Sequence, residues 1–236
     1  MTAQGRTARF VSEAAVIVVS ILLAFSIDAW WDDRQARMTE AAVLEAIREE
    51  AEENRIELDR LMRRTGTQLD RIDAFLGATP AELRALPQDS VAPWIAAMVV
   101  TWTFDGDDSA AGLFLGSSAP VTRHGRDARI VLARWVRIQE DMEEEKATVW
   151  ALGVDLAGRV TPHVAAVPHG GQGLLFEVAG RLGPELLAQL RRDDDFVAVT
   201  LNKAHYQNVY VQELTQASAV LDSLRAVVRD DPRTLE

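Results

Sequence analysis

Cysteine is absent from this 236-residue chain. Without it there is no disulfide, no thiolate nucleophile and no thiolate metal ligand, and the absence fits cytoplasm and periplasm equally. Positive charge is in short supply: 25 Lys+Arg against 36 Asp+Glu give a formal net charge of -11. That balance repels a phosphate backbone, and no Lys/Arg run with interleaved aromatics occurs, so nucleic acid is not an expected partner. Helix breakers are also scarce. From Asp32 to Phe75 there is no proline and one glycine, Gly66, so this stretch reads as continuous helix. At 48% hydrophobic residues the chain can build one ordinary domain with an appendage.

Catalytic motifs are missing as well. Ser117 and Ser118 have no nucleophile elbow around them, and no Ser-x-x-Lys pair occurs. "DGDDSAAG" from Asp105 faintly resembles a calcium loop, but Ala110 stands where the turn glycine is needed and Gly116 where the closing glutamate belongs. It reads better as a helix cap. His163 and His169 lack helical ligand spacing, His124 and His205 are isolated, and "HGGQG" from His169 lacks the Lys-Ser/Thr ending of a phosphate loop. "EDMEEEK" from Glu140 has the composition of a solvated helix face. No catalytic residue, cofactor or metal is expected, and the chain does not read as an enzyme.

What is present is an apolar opening, "SEAAVIVVSILLAFSIDAWWDDR" from Ser12. Its strictly uncharged part, Ala14 to Ile27, is too short to span a bilayer alone. A helix from Phe10 to Trp31 rises about 33 Å, which matches a hydrocarbon core of about 30 Å. Glu13 and Asp28 then fall near the two ends, while Phe10, Trp30 and Trp31 take the interface positions. A cleaved signal, with Ala24-Phe25-Ser26 as its site, and a buried core helix are the competing readings. One face, Glu13, Ile17, Ser20, Ala24 and Asp28, steps by three and four and is smaller and more polar than the rest, so it suits close packing against another membrane helix. The nine leading residues hold Arg6 and Arg9 and no acid. Arg34, Arg37 and Arg48 follow the segment and nearly balance that count, but the acid-free leader favours a cytoplasmic N-terminus with the rest of the chain across a bacterial inner membrane, in the periplasm.

Three long apolar stripes follow. Leu44, Ile47, Ala51, Asn54, Leu58, Leu61, Thr65, Gln68, Ile72 and Phe75 alternate three and four along a stalk helix over 32–76. Polar Asn54, Thr65 and Gln68 weaken a free coiled coil but are able to fix register. Val131, Trp135, Ile138, Met142, Glu145, Val149 and Leu152 mark a second helix over 127–152, and Tyr210, Leu214, Ala217, Leu221, Leu224 and Val228 a third over 203–229. Short helices are expected after Thr79-Pro80-Ala81-Glu82, after Ser90 (carrying Trp94, Ile95, Met98, Val99 and Trp102) and after Asp107-Asp108-Ser109; Asp193-Asp194-Asp195 caps the last long one. Residues 153–183 hold seven of the 14 glycines with Pro162 and Pro168, and read as an irregular loop with a short apolar element at Leu174 to Val178. The expected fold is all-α: a tail over 1–9, a transmembrane helix over 10–31 continuing into the stalk, and an antiparallel bundle completing a soluble domain over 32–236. Parallel pairing of stalks into a homo-oligomer is the alternative use of the seam.

The opening, with Glu13, Ile21, Leu22, Leu23, Ala24, Asp28 and Trp30, resembles that of a widespread group of bacterial single-span membrane proteins of unknown function, with Ser20 in place of the usual glycine. Ala110 to Trp135 is similar to that group's Leu-x-x-Ser-Gly-x-Leu segment, and "DDDFVAVTLNKAHYQNVYVQELTQASAVLDSL" to its last helix. The resemblance implies an anchored helical protein and carries over no catalytic residue. The functional expectation is a scaffold or accessory subunit of a membrane assembly, for instance a bioenergetic complex, with lipid bilayer and other membrane subunits as partners. A membrane-anchored sensor with a ligand beneath 153–183 is the alternative.

Overall fold

A computed structural model describes residues 3–117, 119–165 and 183–229, and all regular structure among them is helical. The elements are α1 (Ala3–Gly77), α2 (Pro80–Arg84), a 3-10 turn (Gln88–Ser90), α3 (Val91–Val99), α4 (Ser109–Gly116), α5 (Arg123–Ala165), α6 (183–190) and α7 (Asp194–Arg229). The all-α expectation holds. α1 is one unbroken helix of 75 residues, about 112 Å long. Its first half stands clear of the protein, and from Glu40 onward one face is buried at steps of three and four.

Cross-contacts fix the directions. Arg55 pairs with Asp222, Gln68 bonds Gln207, and Phe75 lies edge-on to Phe196, so α7 runs antiparallel to α1. Gly153 sits beside Lys203, and Trp135 and Tyr210 meet in one cluster, so α7 is antiparallel to α5 as well. α1 and α5 both lead away from the exposed apolar segment and α7 returns. α4 closes the near half over Leu58, Trp135 and Leu221, while α3 closes the far half over Ile72, Leu156 and Phe196. Between them the extended connector 100–108 drops Phe104 into the core, edge-on to Trp135 at 6.0 Å between ring centroids. Each large apolar side chain so buried contributes about 1.5–3 kcal/mol, which is why the stalk is held by tertiary packing and not by helix propensity alone.

Several expectations need correction. Residues 153–165 are not a loop: α5 continues through Gly153, Gly158 and Pro162 to Ala165. Gly153 is there because the connector crosses the helix at that point; a Cβ would lie 2.5 Å from Thr101 Oγ1 and 2.9 Å from the Val99 carbonyl. The remainder of the expected loop, with His169 and Leu174 to Val178, lies outside the described residues, and 183–190 are helical. α7 begins at Asp194, not 203, and α5 at Arg123, not 127. α3 ends at Val99, leaving Trp102 on the connector. The capping box at Thr79 and Glu82 forms as expected, and Asp193 accepts from the Phe196 N–H at the start of α7. Asp108 makes no side-chain cap for α4.

Candidate functional site

Nothing among the described residues covers the apolar segment of α1. α1 is long and apolar enough to cross a membrane, and none of its most apolar stretch is buried. Val16, Ile17, Phe25 and Trp31 are each 60% exposed or more. In water such a surface carries a large free-energy penalty, so it requires either lipid or protein around it. Glu13, Ile17, Ser20, Ala24 and Asp28 all lie exposed on one face. The Ser20 hydroxyl donates to the Val16 carbonyl at 2.8 Å and Ser26 to Leu22 at 2.7 Å. Their donors are thus satisfied within the helix, and the face offers small size more than hydrogen bonds. At the far end Trp30 and Trp31 splay at 6.4 Å, and the Arg34 guanidinium sits 5.9 Å over the Trp30 ring. The Phe10 side chain lies outside the described set, though its backbone is helical.

Beyond the segment, α1 organises the bundle with carboxylates. Glu40 accepts from the Val121 and Thr122 N–H groups and from the Thr122 hydroxyl, tying down the start of α5. Gly125 keeps that space open, since a Cβ there would overlap the Glu40 carboxylate and come within 2.9 Å of Pro120 Cβ. Nearly three turns further along α1, Glu50 accepts from Ala110 N–H at 2.7 Å and Ala111 N–H at 3.3 Å. These are the orphan donors of α4, so the cap that Asp108 does not supply arrives from another helix. Burial raises the Glu50 pKa while the two backbone N–H groups oppose the rise. Asn54 completes the arrangement by accepting from Asp107 N–H and donating to the Asp107 carbonyl.

A polar network crosses the middle of the bundle. Gln68 donates to the Ala97 and Val100 carbonyls at 2.7 and 2.5 Å and accepts from Gln207 at 2.6 Å. Lys203, with no exposed surface, donates to the Met98 and Val100 carbonyls at 2.7 and 2.6 Å. Together they satisfy the carbonyls that α3 leaves open where it ends. Burial pushes the Lys203 ammonium down to about 7. Nearby, the buried Tyr210 hydroxyl accepts from Phe104 N–H at 2.8 Å, and burial pushes its pKa up to about 12.

Asn54 and Gln68 therefore serve the connector: the seam they occupy is filled by the chain's own helices. Thr101, Val99 and Lys203 pack against Gly153, and residues 166–182, which make up most of the stretch beneath which the alternative reading puts a ligand, lie outside the described residues. Glu213 and Glu145 meet where α7 crosses α5; burial first, then repulsion from Glu145 and hydrogen bonding to it, push Glu213 up to about 7. Among the described residues no group of three or more His, Asp or Glu is placed to hold a metal ion. Among the clefts open to solvent, one of about 980 Å³ lies between the end of the apolar segment and the start of α5, with Trp30, Arg37, Glu40 and His124 on its walls. Another, of about 570 Å³, lies between α1 and α3.

Lys203, Gln207 and Glu40 were missed as site residues, yet the signal was there. Phe196, Thr200, Lys203, Gln207, Tyr210 and Leu214 alternate four and three, as do Glu40, Leu44 and Ile47, so each polar residue sits on a seam that continues into apolar positions. A polar side chain on such a seam must find a buried partner. Compared with protein-family models, with curated proteins and with solved structures, the chain matches none.

Proposed function

We propose that this chain is a single-span membrane protein whose bundle acts, without catalysing a reaction, as a scaffold or accessory subunit of a larger membrane assembly. The observation that carries the reading is the fully exposed apolar half of α1, continuous with a helix that is itself a wall of the bundle. A secretion signal has similar length and polarity. Here, however, the helix passes through Ala24-Phe25-Ser26 without interruption and enters the core at Glu40, 14 residues beyond Ser26. The basic leading residues favour a cytoplasmic N-terminus, with the bundle in the periplasm of a bacterial inner membrane. The likeness of the opening to single-span bacterial proteins supports the same architecture.

In this reading the face of Glu13, Ile17, Ser20, Ala24 and Asp28 docks against a partner helix in lipid, where small residues allow close approach. The double variant Ser20→Leu, Ala24→Leu keeps the span apolar and removes only that fit. Gentle detergent extraction and native purification should recover the variant stripped of the proteins that accompany the wild type. Identical co-purification would refute the docking face. A membrane-anchored ligand sensor is the second reading, favoured by the cleft between α1 and α3.

A further inference from the structure

The cleft between α1 and α3 concentrates positive charge in a strongly acidic chain. Elsewhere along α1, Arg37, Arg48, Arg55 and Arg60 each pair with a carboxylate on the same helix. Arg63, Arg64 and Arg71 line the cleft, and among the described residues none of the three has a carboxylate at ion-pair distance. Asp59, the acid one turn before Arg63, is taken by Arg55. At 100° per residue, Arg63, Thr67, Arg71 and Arg64 occupy an arc of about 100° on one helix face. Three guanidinium groups held so close together repel one another unless an anion lies between them.

The opposite wall is apolar and rigid. Ala96, Ala97 and Val100 form it, and their segment is held by Gln68, itself a lining residue on α1, and by Lys203, through the Ala97, Met98 and Val100 carbonyls. Trp102 stands at the rim, 44% exposed, with the Arg64 guanidinium 5.0 Å over its ring. A ring already engaged on one side by a cation presents a flat, preorganised surface beside the charged wall. The volume of about 570 Å³ is within the range that holds small organic ligands and exceeds what a bare ion needs.

We propose that this cleft binds a small organic anion, its phosphate or carboxylate groups held by Arg63, Arg64 and Arg71 and its flat or apolar body lying along Trp102 and the α3 wall. Guanidinium groups recognise both oxyanions through paired N–H donors. The site lies about 50 Å along α1 from Trp31, beyond reach of headgroups at the span exit. It stands apart from the docking face in lipid, so failure of either leaves the other untouched.

Calorimetric titration of the full chain in zwitterionic lipid nanodiscs tests the proposal. The probes are phenyl phosphate, benzene-1,2-dicarboxylate, inorganic phosphate and phenol. Phenyl phosphate or the dicarboxylate should bind at one site per chain, about tenfold more tightly than inorganic phosphate, with phenol showing no binding. Whichever of the two aromatic anions binds more tightly identifies the oxyanion. Arg63→Gln, Arg64→Gln and Arg71→Gln combined should weaken binding at least about thirtyfold. Arg134→Gln with Arg137→Gln, exposed on α5, should leave it unchanged. Binding that is equal for phenol, equal for inorganic phosphate, or equally weakened by the α5 variant would overturn the proposal, as would no binding of either aromatic anion.

Discussion

At the scale of single residues, two ionisable groups on α7 give the bundle opposite pH dependences on either side of neutrality. Glu213 titrates near 4.5 when solvated and is pushed up to about 7 in the folded chain. Between those values the folded state holds more protons than the unfolded one, so this carboxyl makes stability fall as pH rises from about 4.5 to 7. Lys203 shifts in the other direction, from 10.5 to about 7. From about 7 to 10 the unfolded state holds the extra proton, so stability rises with pH, and the penalty for the buried charge is complete below 7. Melting temperature followed from pH 4.5 to 10 should therefore pass through a minimum near neutrality. Glu213→Gln should flatten the acidic limb and leave the alkaline limb in place. Since Glu213 is partly solvated, the flattening should be worth no more than about 1 kcal/mol. An acidic limb unchanged in that variant would show that other carboxylates, not the pair with Glu145, set the slope.

At the scale of the element, short helices survive here because α1 supplies what their own sequences do not. α4 has eight residues and no side-chain cap from Asp108, and an isolated helix of that length is unstable in water. Its Ala110 and Ala111 N–H groups are satisfied by Glu50, 60 residues or more away in sequence. Glu50→Ala leaves those donors part-buried and unpaired, at a cost of about 1–2 kcal/mol. Amide hydrogen exchange should accelerate across Ser109–Gly116 while α7 stays protected, because Glu50 lies outside the α1–α7 seam. Unaltered exchange in α4 would mean that burial of Ala111 and Phe114 holds the helix without the cap. The α3 end follows the same logic, with Gln68 and Lys203 in the place of the carboxylate.

At the scale of the whole molecule, α1 has two unlike halves. Its apolar half has none of the described residues packed around it, and its second half is packed along most of one face by α3, α4 and α7. A helix shared by both parts couples any tilt of the apolar half to the orientation of the bundle, with no linker to absorb it. If the apolar half lies in lipid, the full chain should remain in the pellet when vesicles are washed with alkaline carbonate, and the mature N-terminus should precede Ile27. Release into the supernatant, or a mature chain beginning at Ile27, would remove the membrane anchor and the docking face together.

The sequence by itself determined that the chain is helical, where its long seams run, and that its opening is apolar over the length of a bilayer, because each is a local periodic property. The seam from Leu44 to Phe75 could be read residue by residue, as could the capping box at Thr79. Only the tertiary structure decided what the polar residues on and beside the seams are for, since their partners are distant in sequence: Glu50 with Ala110, Asn54 with Asp107, Gln68 with Gln207, Lys203 with Met98. It also decided that Gly153 lies within α5, since glycine signals a helix end by propensity but here answers to a crossing chain that no local pattern shows. The arginine cleft belongs to the same class, because a charge is known to lack a partner only when every neighbour is in place.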